Sequence, residues 1–118
     1  MRNFREYDVW KRGIAFTGGI YILTRDLPDH EKFGIISQIR RASVSIPSNI
    51  AEGCSRHSEK DFARFVEIAL GSAFETETLL IICHEVGYLK QEELNKVVAD
   101  LQVIQRSLNS LYGKLQGR

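Results

Sequence analysis

Leu94, Val97, Leu101, Ile104, Leu108, Leu111 and Leu115 return every three or four residues, an almost unbroken heptad stripe. Apolar residues at that spacing line one face of an α-helix, and that face has to be covered by other helices. Ile36, Ile39, Ser43, Ile46 and Ile50 repeat the pattern earlier in the chain, and Phe62, Phe65, Val66, Ala69, Ala73, Thr76, Leu80 and Cys83 repeat it again. A fourth segment, from about Asp8 to Leu27, carries two stripes. Trp10, Ile14 and Tyr21, with Thr17 and Thr24, form one; Val9, Phe16, Ile20, Leu23 and Leu27 form the other. No stretch alternates as a strand would. Four amphipathic helices joined by short loops predict an all-α, antiparallel up-down-up-down four-helix bundle. With 118 residues it forms a single domain over 1–118, large enough to bury a core without staples.

The loops carry stop and start signals. Pro28 cannot continue the first helix, and Asp29 is placed to cap the second. Gly53 to His57 reads as a turn, and Ser58 with Asp61 has the form of a capping box opening the third helix, which ends at Gly87. Glu92 and Glu93 suit the positive first turn of a fourth helix beginning near Gln91.

Three features break the regular pattern. Pro47 interrupts the second helix; an interior proline costs about 3 kcal/mol or more and frees the carbonyl of Ser43. Either the helix breaks there or it kinks, with Ser43, Ser48 or water satisfying that carbonyl. The stripe stays in phase across the proline, which favours the kink. Gly18-Gly19 lowers helix propensity by about 1 kcal/mol per glycine, so it marks a close helix crossing or weak local helicity. The first helix is also apolar on more than one face and needs more cover than one partner helix gives.

Little in the sequence points to catalysis. A di-metal bundle needs Glu-x-x-His pairs, and no glutamate here has a histidine three residues on. Cys83 and His84 point about 100° apart on a helix, and Cys54 with His57 makes only two ligands in a turn, so no metal and no cofactor are expected. Phosphate-cradling loops and nucleophile elbows are missing. The two cysteines form no disulfide framework, the charged start is not a signal peptide, and no apolar run reaches membrane length. An intracellular, cytoplasmic protein with reduced thiols is expected.

Sixteen basic residues against fifteen acidic ones leave the chain near neutral, without the global bias of a dedicated nucleic-acid binder. Residues 1–58 nonetheless carry nine basic and six acidic side chains, and residues 59–90 three and six. Solvated helix faces account for this; a basic face of the N-terminal half is the sharper alternative. Its candidates are Arg5, Arg12, Arg40, Arg41 and Arg56, with Arg2, Lys11 and His57 beside them, since guanidinium groups grip phosphate with two N–H bonds at once. Asn49 and Glu52 are three residues apart, as are Ser72 and Glu75, so each pair shares a helix face. With Gly71-Ser72 letting the third helix approach the second, these four form a polar cluster. A register-fixing hydrogen-bonded set is favoured; a Glu52/Glu75 pair sharing a proton or a metal is the alternative.

Gln38-Ile39-Arg40-Arg41-Ala42, then Ser45-Ile46-Pro47-Ser48-Asn49-Ile50-Ala51-Glu52-Gly53, then Ala69-Leu70-Gly71-Ser72 with Glu75 carry a resemblance. From about Val9 to Leu115 the chain resembles the four-helix-bundle family named after proteins encoded by 23S rRNA intervening sequences. The resemblance implies an antiparallel bundle that assembles as a homo-oligomer, commonly a pentameric ring. The family is related to the accessory protein of diversity-generating retroelements, a basic pentameric barrel that binds nucleic acid and a reverse transcriptase. This chain departs from that relative in being near neutral, and the resemblance brings no catalytic residues. The expectation is a non-enzymatic homo-oligomeric module that contacts structured RNA or a nucleoprotein through its arginines. A protein-only assembly subunit is the alternative, and an enzyme using Glu52 and Glu75 stands third.

Overall fold

The computed structural model describes residues 2–118, which form four helices in an elongated bundle of 43 × 24 × 19 Å. They are α1 (Asp8–Arg25), α2 (Ile35–Cys54), α3 (Glu59–Glu85) and α4 (Gln91–Leu115), with 3-10 turns at Phe4–Glu6 and Asp29–Glu31. Among the described residues there is no strand. Neighbours in sequence pack as neighbours in space: α2 sits between α1 and α3, and α3 between α2 and α4. α1 and α3 lie diagonally, without close backbone approach. α1 meets α4 only lightly and leaves a cleft of about 250 Å³ lined by Phe16, Gly19, Val97 and Ile104 among others.

The stripes read from the sequence fill the core. Ile36, Ile39, Ser43, Ile46 and Ile50 of α2 are buried, as are Phe62, Val66, Ala69, Ala73, Thr76, Leu80 and Cys83 of α3. Leu94, Leu101, Ile104 and Leu108 of α4 join them, while Val97, Leu111 and Leu115 stay half-buried at the margin. Each large side chain fully enclosed here contributes about 1.5–3 kcal/mol. The two stripes of α1 part company. Val9, Phe16 and Ile20 go to the core, and Ile14 and Tyr21 remain on the surface, 48% and 42% exposed.

α2 runs unbroken through Pro47, as its in-phase spacing predicts. The Ser43 carbonyl that the proline orphans accepts a 3.0 Å hydrogen bond from the Thr17 hydroxyl of α1. Thr17 is not among the donors expected from the sequence, and the Ser43 hydroxyl donates instead to the Arg40 carbonyl. The proline ring leans on Gly13 of α1, where an added Cβ would sit 3.4 Å from the ring. Gly13, rather than Gly18-Gly19, is therefore the glycine at the α1–α2 crossing; a Cβ at Gly18 or Gly19 would meet nothing within 4 Å.

Gly53 belongs to the last turn of α2, not to the loop. A Cβ there would fall 2.8 Å from both the Phe62 ring and the Phe65 Cβ, so only glycine lets the end of α2 meet the start of α3. Ser58 caps α3 by accepting from the Asp61 N–H at 3.1 Å. Asp29 does not cap α2. It opens the 3-10 turn, and Glu31 takes the capping role by accepting weakly from the Ile35 N–H, 3.4 Å away. At α4 the Glu93 carboxylate accepts from the Lys90 N–H at 2.9 Å, the acid of the first turn doing the capping.

Candidate functional site

The α2–α3 seam carries the irregular residues. Because the helices run antiparallel, Ser45 faces Ser72, and their hydroxyls lie 2.8 Å apart. The Asn49 side-chain amide donates to both the carbonyl and the hydroxyl of Ser45, each at 2.8 Å. The Ser72 carbonyl in turn accepts from Thr76 at 2.8 Å. Asn49 and Ser72 thus meet through Ser45, a half-buried residue whose part in the cluster its place in the sequence does not reveal. The Ser45–Ser72 hydrogen bond crosses the seam and would break if the helices slid by one residue, whereas the Asn49 and Thr76 bonds lie within α2 and α3 and orient the two serines.

Glu52 and Glu75 do not enter this network. Both are exposed. Glu52 lies two turns beyond Ser45 and Glu75 almost one turn beyond Ser72, in opposite directions along the seam. At 1.5 Å per residue the two are about 15 Å apart along the bundle axis, too far to share a proton or a metal ion. Among the described residues no group of three or more His, Cys, Asp and Glu side chains is placed to hold a metal. Glu75 instead lines a shallow surface hollow with Gln38, Arg41 and Ser45.

The five arginines of the expected basic face are not brought together. Arg40 Nε donates to the buried Thr24 hydroxyl at 2.9 Å and its Nη2 to the Tyr21 carbonyl at 3.3 Å, with the guanidinium 4.6 Å from the Tyr21 ring centre. This arginine fastens α2 to α1. Arg41 projects from the other side of α2, exposed beside Glu75. Arg12 is paired with Asp8 at 2.8 Å on the face of α1 turned toward α4.

Arg5 and Arg56 each adjoin Arg2 at the end of the bundle where α2 meets α3. Arg2 and Arg5 line one hollow there with Ala51, Cys54 and Ser55, and Arg2 donates to the Arg56 carbonyl at 3.1 Å. Each guanidinium rests on an aromatic ring: Arg2 on Phe62 at 4.5 Å, Arg5 on Phe4 at 4.6 Å and Arg56 on Phe65 at 4.7 Å. Among the described residues none of the three makes an ion pair. The spacing of Arg2, Arg5 and Arg56 in sequence gives no hint of this meeting, because the short turn at Phe4–Glu6 folds the N-terminal segment back over the end of α2.

Cys54 and Cys83 are buried free thiols, and burial pushes both up from the ordinary thiol range. Raised, enclosed thiols are poor nucleophiles. At the opposite end, the Tyr88 hydroxyl donates to Glu31 at 2.8 Å and lies 3.4 Å from His30 Nε2, tying the α1–α2 loop to the α3–α4 loop. His84 Nδ1 is 2.9 Å from the Leu89 carbonyl and holds the same loop.

No helix among the described residues is long and apolar enough to cross a membrane. No curated protein matches the chain. One solved structure similar to it is a protein of unknown function from the S23 ribosomal protein family of Bacteroides thetaiotaomicron. It is 30% identical, covers 88% of this chain and 97% of its own, and superposes with a TM-score of 0.82. Residues 5–110 match the family model described as 23S rRNA-intervening sequence protein. With nearly its whole length matched, the chain belongs to the 23S rRNA-intervening sequence protein family.

Proposed function

We propose that the protein is a non-enzymatic, cytoplasmic, homo-oligomeric module, pentameric as its family resemblance implies, that offers repeated arginine ends to structured RNA or a nucleoprotein. The observation carrying this reading is the gathering of Arg2, Arg5 and Arg56 on the rings of Phe62, Phe4 and Phe65, without a carboxylate partner. A guanidinium resting on a ring is partly pre-oriented toward phosphate oxygens, and Arg2 keeps further N–H groups beside the one it gives to the Arg56 carbonyl. Three such groups on one copy bind weakly; several copies with their arginine ends on one side multiply the contacts. Self-association is supported by large apolar side chains left in water, among them Ile22, Phe74 and Ile82.

The test is binding of the purified protein to structured RNA across a salt series. Phosphate contacts make log affinity fall linearly with log salt, with a slope of about −0.9 per neutralised phosphate on a B-DNA-like duplex. The double substitution Arg5→Ala with Arg56→Ala is expected to weaken binding and make that slope shallower by about one per lost contact. Arg40→Ala should act on stability instead, because its guanidinium is engaged within the chain. Absence of binding even at low salt would overturn the RNA reading and favour the protein-only assembly subunit, which the near-neutral charge supports.

A further inference from the structure

Two helix faces on opposite sides of the bundle have no partner within the chain, and their chemistry is complementary. On α1, Lys11, Ile14, Gly18, Ile22 and Arg25 follow one another at helical spacing along the outer surface, all exposed, with Ile22 at 62%. On α3, Ile68, Gly71, Glu75, Thr78 and Ile82 do the same, with Ile68 at 45% and Ile82 at 42%, and exposed Glu67 adjoins them. Each stripe has a glycine flanked by isoleucines. Nothing inside the protein needs either glycine, for a Cβ at Gly18 or Gly71 would meet no atom within 4 Å. Gly13 and Gly53, by contrast, are crowded by Pro47 and by Phe62 and Phe65.

The charges separate cleanly. Lys11 and Arg25 flank Gly18 seven residues to either side, and the α1 stripe carries no acid. Glu67 and Glu75 flank Gly71 four residues to either side; the cations nearby are Arg64 at the far end of that face and Arg41 of α2, which lines a hollow with Glu75 at its edge. Because both arrangements are symmetric about their glycine, the charges match whichever way the helices run. The offset between them, about 4 to 5 Å along the axis, is within reach of long side chains.

We infer that the outer face of α1 on one copy docks on the outer face of α3 on the next, Gly18 over Gly71, isoleucines alongside and Lys11 and Arg25 against Glu67 and Glu75. This rests on the self-association proposed above and names the surfaces that perform it. Helices without side chains at the crossing approach closely, which lets the flanking isoleucines leave water. The contact is heterologous, so every added copy leaves one face of each kind free. Copies therefore add head to tail, closing a ring when the rotation per copy allows.

The experiment is the solution mass of the full chain by light scattering, with helicity followed by circular dichroism. Lys11→Glu with Arg25→Glu, and separately Glu67→Lys with Glu75→Lys, are each expected to weaken association by about tenfold or more while the chain stays helical, because like charges then face each other. All four changes in one chain restore opposite charges and should restore assembly; a merely structural effect would not be rescued. Gly71→Trp, which has open space in the single chain, should block assembly on its own. An associating wild type whose mass is unmoved by either reversal and by Gly71→Trp would overturn the placement and leave self-association standing. A monomeric wild type would overturn both.

Discussion

Pro47 takes one hydrogen bond from the middle of α2, and a hydroxyl on another helix replaces it. Thr17 serves the Ser43 carbonyl at 3.0 Å, so a local defect becomes a tie between α1 and α2. Thr17→Val keeps the shape and removes the donor, leaving a carbonyl at a buried residue unpaired. We expect a loss of about 1–3 kcal/mol, read as a lower urea midpoint at unchanged m-value. An unmoved midpoint would mean that water reaches the carbonyl. Gly53→Ala drives a methyl group to 2.8 Å from Phe62 and Phe65 and should cost about 1–3 kcal/mol, although alanine is the better helix former. If thermal unfolding showed Gly53→Ala to be neutral or stabilising, the close approach of the α2 and α3 ends would be refuted. The sequence displayed Pro47 and its orphaned carbonyl openly. It did not disclose the donor, since Thr17 reads only as a polar member of an apolar stripe until α1 is laid against α2.

At the scale of elements, the stripes placed the four helices and their core faces correctly, because 3.6-residue periodicity is a local property of the chain. Caps were legible only where the signal is contiguous, as at Ser58 and Asp61. Asp29 failed because the chain makes a 3-10 turn first, which hands the start of α2 to Glu31. That carboxylate also accepts from Tyr88, a residue of the distant α3–α4 loop, and this hydrogen bond holds its pKa below the usual carboxylate range; the Ile35 N–H acts the same way more weakly. A depressed carboxylate pKa contributes stability that is present above the unfolded-state value, about pH 4, and is lost as pH falls through the lower folded-state value. Tyr88→Phe should therefore lower the melting temperature slightly near neutrality, with the gap from wild type closing under acid. A gap of constant size across that pH range would count against the Glu31–Tyr88 tie.

For the whole molecule, the sequence offered charge without direction. The five candidate arginines share a sign, but two-dimensional spacing could not sort them. Folding turns Arg40 inward onto Thr24 and Tyr21, pairs Arg12 with Asp8, and leaves Arg5 and Arg56 together at one end with Arg2. The excess apolar surface read on the first helix is present as exposed Ile14, Tyr21 and Ile22, and α3 carries its own share. Such surfaces predict a mass above 13.5 kDa for the purified protein, near five copies for the proposed pentamer; light scattering at several concentrations decides it. A mass of one copy throughout would remove the oligomeric reading.

The sequence by itself determined the all-α class, the four helices and most residues of the core, and it favoured α2 continuing through Pro47 over breaking there. Each of these depends on periodicity or on backbone chemistry within a few neighbouring residues. Only the tertiary structure decided that Thr17 serves the Ser43 carbonyl, that Gly13 and Gly53 are the crowded glycines, that Ser45 joins Asn49 to Ser72, and that Glu52 and Glu75 stand apart. Those outcomes depend on which side chains of different helices arrive at the same height, and that is set by antiparallel register and helix rotation across dozens of intervening residues.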